Sequence, residues 1–118
     1  MNEPHIIRIF DIVGGPLCIS TDDGQTVHDK IAPLLKDGQR VILSFSGVDT
    51  LISLFLHVAI GQLYGELTEE RIRELLSVQD MAQDDLVLLK RAVENAKAFF
   101  KNRQGYEQAW KEEVSDEE

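Results

Sequence analysis

The first apolar run of the chain, residues 6–13, is dominated by β-branched side chains and predicts a strand. A short second strand is predicted for residues 17–20. Between them stand Gly14 and Gly15, which tolerate the positive φ of tight turns, and Pro16, which cannot donate a hydrogen bond to a sheet. We therefore expect the first two strands to form a β-hairpin.

A helix is predicted next, because Ser20 or Thr21 can cap its start and two aspartates follow. Its apolar positions recur every three or four residues along one stripe: Val27, Ile31, Leu34 and Leu35. Pro33 interrupts the pattern and predicts a kinked or loosened last turn. Gly38 predicts a left-handed stop.

Residues 40–45 are almost wholly apolar, which is typical of a central strand buried on both faces. After a turn, Asp49 or Thr50 can cap a helix that we expect to continue to about Gly65. This helix is apolar nearly all round, so we expect it to be the most buried one.

The segment 66–81 fits either a helix or a strand, and a long helix is predicted from Asp84 onward. The apolar period of that helix fades after residue 100, and the last eight residues carry one positive and five negative charges. We therefore predict one domain over residues 1–100 and an acidic C-terminal tail over 101–118. Helices that alternate with apolar strands predict an α/β fold in which helices pack on a sheet.

The size and charge of the chain exclude several classes of protein. The 118 residues are enough for one domain with its own core. Twelve basic against 21 acidic residues give a net charge of −9, which disfavours binding to nucleic acid or to an anionic membrane. The single cysteine and the absence of a signal-like N-terminus predict a cytoplasmic protein.

No residue pattern predicts catalysis, a metal or a cofactor. Gly14 and Gly15 lack the spacing of a phosphate-binding loop, and His57 has no acidic residue one helical turn away. Cys18 has no basic neighbour and is interpreted as structural. The polar set Asp22, Asp23, His28 and Asp29 matches no metal motif and is interpreted as a solvated, capped helix start. We therefore predict that the chain is not an enzyme.

The segment Val41-Ile42-Leu43-Ser44-Phe45-Ser46-Gly47-Val48, followed by an apolar helix, resembles the central motif of STAS domains, and more closely that of the bacterial STAS-like family of unknown function. Residues 19–24 resemble the entry to the first helix of that family, and residues 88–100 resemble its C-terminal helix. The resemblance implies a small STAS-like sandwich with a mixed four-stranded sheet and a long C-terminal helix.

The same resemblance implies a function in protein binding. Related anti-sigma-factor antagonists bind a partner with a histidine-kinase-type ATPase domain, and a serine at the start of the helix after the motif is phosphorylated. Here Leu54 takes the place of that serine, and Ser53 matches the serine before it. A leucine cannot accept phosphate, so the resemblance does not extend to the phosphorylation switch.

The residue patterns predict no catalysis, and the resemblance implies a regulatory module that binds a partner protein in bacterial signalling. By position, the partner-binding candidates are Ser46, Asp49, Thr50 and Ser53. Two alternatives stay open: a small nucleotide-binding domain, and an acidic inhibitor or antitoxin-like protein. Whether the chain forms a homodimer also stays open.

Overall fold

The computed structural model describes the backbone of residues 3–117 and the side chains of residues 3–101. The strands are β1 (His5–Arg8), β2 (Leu17–Cys18), β3 (Val41–Ser44), β4 (Thr50–Leu51) and β5 (Leu76–Gln79). The helices are α1 (Ile9–Val13), α2 (Thr21–Lys36), α3 (Ser53–Ala59), α4 (Glu69–Leu75) and α5 (Gln83–Glu117). A 3₁₀ helix, Gly61–Gly65, follows α3.

The α/β class is confirmed, but the four-stranded mixed sheet is wrong. The described strands form two small parallel sheets, one with the order β1-β3-β5 and one that pairs β2 with β4. In the larger sheet Leu43 of β3 lies between Ile7 and Val78 on the face that packs on the core. On the other face Ile42 is only half-buried, so β3 is not covered on both sides as its apolar sequence suggested.

The hairpin expected at the start of the chain is also wrong. β1 ends at Arg8, and the rest of the predicted strand forms α1, in which Ile9 is buried and Ile12 and Val13 are partly buried against the core. These three residues stand at positions i, i+3 and i+4, which is the spacing of one apolar face of a helix. Gly14, at φ +84°, ends α1 in the left-handed conformation instead of forming a hairpin turn.

The predicted α2 is confirmed, including both of its ends. The Ser20 hydroxyl accepts hydrogen bonds from the amides of Asp22 and Asp23, at 3.1 and 3.3 Å. Gly38 adopts a φ of +81° just after the helix. Pro33 lies inside α2, which continues to Lys36.

The helix predicted after β3 begins later than expected. The amides of Asp49 and Thr50 both donate to the Pro16 carbonyl, at 2.8 and 3.2 Å, so this segment is extended and Thr50 belongs to β4. Neither residue caps a helix. α3 begins at Ser53, and the 3₁₀ helix takes the place of its expected last turn.

The segment that fitted both a helix and a strand contains one of each. The Thr68 hydroxyl accepts from the Arg71 amide and caps α4, and β5 follows directly as the third strand of the larger sheet. The core lies where α2, α3 and α5 pack together beneath the larger sheet, and Phe55 is its largest fully buried side chain. The acidic tail predicted for residues 101–118 falls, apart from Lys101, outside the described side chains.

Within the part of the chain described here, no helix has both the length and the apolar composition needed to cross a bilayer.

Candidate functional site

The four residues predicted to bind a partner lie on one continuous surface segment. Ser46 follows β3, Asp49 and Thr50 follow the next turn, and Ser53 begins α3. All four side chains are exposed. The structure therefore places these candidates together, although the reason is the β4 strand and not the helix start that the sequence indicated.

The segment is held in place by its pairing with β2. The Pro16 carbonyl accepts from the amides of Asp49 and Thr50, and the Cys18 carbonyl accepts from the Ile52 amide at 3.2 Å. Leu17 is thereby opposite Thr50, and Cys18 is opposite Leu51. Because side chains alternate along a strand, Cys18 and Leu51 point into the core while Leu17 and Thr50 point to solvent.

Exposed apolar side chains surround the hydroxyl groups of Thr50 and Ser53. Leu17 is 49% exposed, Ile19 48%, Ile52 36% and Leu54 53%. We call these six residues, 17, 19, 50 and 52–54, the β2–β4 surface. Its four apolar members were not predicted from the sequence, because the hairpin interpretation paired residues 17–20 with the wrong strand. The apolar residues around Ser53 were visible, but they were assigned to a buried helix.

Carboxylates stand close to this surface. Burial raises the pKa of the Cys18 thiol to about 11, with smaller contributions from the negative charges of Asp23 and Asp85. Asp23, at the start of α2, lines the groove beside β2 together with Leu17 and Ile19. With the exposed Asp49, it places two carboxylates beside the β2–β4 surface. The interpretation of Cys18 as a structural residue agrees with its full burial.

The turn that holds Ser46 is fixed by contacts from the ends of the three parallel strands. The Ser44 hydroxyl donates to a carboxylate oxygen of Asp80 at 2.9 Å and accepts from the Ser46 amide at 3.4 Å. Gly47 has a φ of +85°, and a Cβ there would lie 3.0 Å from the Arg8 guanidinium. These contacts leave little freedom to the turn that leads into Asp49.

His57 is a packing residue in the described structure. Its ring meets the ring of Phe99 edge-on, with 6.3 Å between the centroids, and it lies beside Gly61. No described carboxylate pairs with it. A catalytic imidazole needs an orienting partner and a nucleophile within reach. The described contacts of His57 include neither, so they support only a packing role.

The interpretation of His28 as part of a solvated helix start is wrong. The side chain is buried, and its Nε2 lies 3.0 and 3.1 Å from the two carboxylate oxygens of Glu66, which follows the 3₁₀ helix. Its Nδ1 lies 3.3 Å from the Asp29 carboxylate. Glu66 is distant from His28 in sequence, so no local sequence pattern predicts this contact. Lys36 also approaches Glu66, at 3.6 Å.

The described residues form neither a metal site nor a phosphate-binding loop. No group of three or more His, Cys, Asp or Glu among them could hold a metal ion. Gly14 ends α1 and Gly15 follows it, so the pair does not open onto a helix as a phosphate-binding loop would. The Ser44 hydroxyl donates to the Asp80 carboxylate, but Ser44 is buried and this contact belongs to the turn after β3.

Comparison with known proteins identifies the family of the chain. Residues 23–86, more than half of the chain, match the model of the STAS-like domain of unknown function (DUF4325). The match runs from the first turn of α2 to the first turns of α5 and includes β3, β4 and α3. No curated protein and no solved structure shows significant similarity. The chain therefore belongs to the family of STAS-like domains of unknown function.

Proposed function

We propose that the chain is a non-catalytic regulatory module that binds a partner protein through the β2–β4 surface, in the cytosol of a bacterium and in a signalling pathway. The observation that carries the proposal is the exposure of four large apolar side chains around Thr50 and Ser53. Single exposed apolar residues are ordinary, but a contiguous group with polar surroundings is typical of a protein-binding site.

The chemistry of the surface suits a protein partner. Apolar side chains gain free energy when a partner removes them from water, at about 25 cal/mol per Å². The hydroxyls of Thr50 and Ser53 can donate and accept hydrogen bonds within the same interface. Asp49 and Ser46 extend the surface at one end, and their carboxylate and hydroxyl can supply polar contacts at its rim.

The resemblance to anti-sigma-factor antagonists suggests the class of partner, a protein with a histidine-kinase-type ATPase domain. In those antagonists a phosphoserine controls binding. Here Leu54 stands at that place and is itself exposed as an apolar contact. We infer that binding is constitutive, and that intact-mass measurement of protein from its native host gives the unmodified mass.

A charge substitution with a matched control tests the proposal. Leu54→Lys places an ammonium group on the β2–β4 surface, whereas Val87→Lys makes the same type of change on α5 at a side chain with nearly the same exposure, 54%. Affinity-tagged wild type and both variants are used to recover proteins from the cytosol of the native host. Quantitative mass spectrometry then compares the three sets of proteins.

We expect one protein that is recovered with the wild type and with Val87→Lys, and at least about tenfold less with Leu54→Lys, because a charge in an apolar contact loses its hydration when the partner binds. If recovery of every protein is the same with Leu54→Lys as with the wild type, the β2–β4 surface is not a protein-binding site.

A further inference from the structure

One edge of the β2–β4 surface carries unpaired backbone. The carbonyls of Pro16 and Cys18 face β4, where they accept from three amides of residues 49–52. In an extended strand successive backbone groups alternate sides, so the amides and carbonyls of Leu17 and Ile19 face away from β4. Among the described residues, no backbone group pairs with them.

Space is available along this edge. A shallow groove of about 410 Å³ runs beside β2, lined by the end of α1, the residues 14–16, the start of α2 at Asp23, and by Leu17 and Ile19 themselves. An unpaired strand edge that is open to solvent, with apolar side chains on it, is a template for a further strand.

The free edge of β1 in the larger sheet is less suited to pairing with another chain than the free edge of β2. Ile6 is 64% exposed, and its amide also faces away from the neighbouring strand. However, His5 and Arg8 flank it, and charged or polar residues on an edge strand oppose pairing with another chain. Residues 17–19 carry no charge.

The negative charge around the free edge of β2 indicates which kind of strand binds there. Asp23 lines the groove beside β2, the Asp49 amide donates to the Pro16 carbonyl, and the whole chain carries a net charge of −9. A second copy would bring the same carboxylates against their equivalents, which like-charge repulsion disfavours. A strand that alternates apolar residues with lysine or arginine complements both the side chains and the charge.

We propose that β2 accepts an extended segment of a partner protein, with alternating apolar and basic residues, as an added strand along its free edge. This inference rests on the proposed function and specifies the chemistry of the partner at the same surface. The backbone of the segment pairs with Leu17 and Ile19, its apolar side chains contact the apolar members of the β2–β4 surface, and its cations face the aspartates.

Designed peptides supply the probe. A fluorescent ten-residue peptide that alternates valine and lysine is titrated with the full chain, and binding is followed by anisotropy. A second peptide has glutamate in place of lysine. A third keeps every valine and lysine but carries N-methyl groups on alternate amides, which removes its hydrogen-bond donors on one edge without changing its charge.

Two protein variants form a matched pair. Leu17→Pro removes an amide that faces the free edge, and Ile6→Pro removes the equivalent amide on β1. Circular dichroism and thermal unfolding check that each variant is folded. If Leu17→Pro does not fold, the N-methylated peptide with the wild type still tests the pairing.

We expect saturable binding of the valine–lysine peptide, weakened at least about tenfold by N-methylation, by glutamate, or by Leu17→Pro, and unchanged by Ile6→Pro. The proposal is overturned if the valine–lysine peptide does not bind, if N-methylation leaves its affinity within about twofold, or if sedimentation shows that β2 instead joins two copies of the chain. Such a result, together with recovery of a partner whose binding is sensitive to Leu54→Lys, would refute the added strand without contradicting the proposed function.

Discussion

Leu17 lies opposite Thr50 across the parallel pair of β2 and β4, and both side chains reach solvent on the same face. The next pair, Cys18 and Leu51, points into the core. This single register therefore decides which residues anchor the surface and which remain free to meet a partner. A shift by one residue would expose Cys18 and bury Leu17.

Two adjacent residues of α3 test the packing beneath this surface. Phe55 is fully buried, whereas Leu54 is half-exposed. Phe55→Ala is expected to lower the free energy of unfolding by about 3–5 kcal/mol, because it removes a large side chain and leaves a cavity. Leu54→Ala is the control and should cost less than about 1 kcal/mol. Urea unfolding measures both, and equal losses would contradict the packing of α3 described above.

The contact between α2 and α3 depends on the absence of a side chain at Gly24. A Cβ there would lie 3.0 Å from the Phe55 carbonyl oxygen and 3.1 Å from the Cβ of Val58. Alanine normally stabilises a helix relative to glycine by about 0.5–1 kcal/mol, but a backbone oxygen has little room to move. We expect Gly24→Ala to be destabilising overall, by about 1–2 kcal/mol.

Lys30→Ala, at an exposed position of the same helix, is the control and should change the free energy of unfolding by less than about 0.5 kcal/mol. An increase in stability with Gly24→Ala would show that the two helices are not in close contact at this point.

The elements that the sequence predicted well are those with strong local signals. α2 has a serine cap, an apolar stripe and a glycine stop, and the apolar run at the start of β3 marks it as the central strand. The first strand was extended too far because Ile9, Ile12 and Val13 fit a strand by composition and a helix by spacing. Burial of Ile9 against the core decides between the two.

The apolar side chains beside the candidate residues could not be predicted from the sequence. The family resemblance suggested Ser46, Asp49, Thr50 and Ser53, and what the structure adds is that all four are exposed. The apolar contribution of Leu17 depends on pairing between strands that are distant in sequence, which no local pattern encodes. The burial of His28 against Glu66 was missed for the same reason.

The contact between His28 and Glu66 joins α2 to the end of the 3₁₀ helix and can be tested by removing the charge. Glu66→Gln keeps the shape of the side chain but weakens its interactions with the imidazole and with Lys36. A loss of about 1 kcal/mol in the free energy of unfolding is expected, because hydrogen bonds to charged groups are stronger than neutral ones. Glu70→Gln, on the exposed side of α4, should be nearly neutral. Indistinguishable results from the two variants in urea unfolding would argue against the contact.

Cys18 gives the chain a characteristic response to alkaline pH. Its pKa is raised from 9.0 to about 11, chiefly by burial, so between these values the unfolded chain loses the thiol proton while the folded chain keeps it. Stability must therefore fall as pH rises through this window, by up to about 2–3 kcal/mol for a shift of this size. The difference in unfolding free energy between wild type and Cys18→Ala should decrease between pH 9 and 11. A difference that stays constant would mean that the thiol is not buried.

Site-specific photocrosslinking shows whether a partner protein contacts the β2–β4 surface in the cell. A photoreactive benzoylphenylalanine is introduced at Leu54 or, as the control, at Val87 on α5, and cells of the native host are irradiated. We expect a single crosslinked protein species from position 54 that is absent from position 87. The same products from both positions, or none from position 54, would contradict the proposed function.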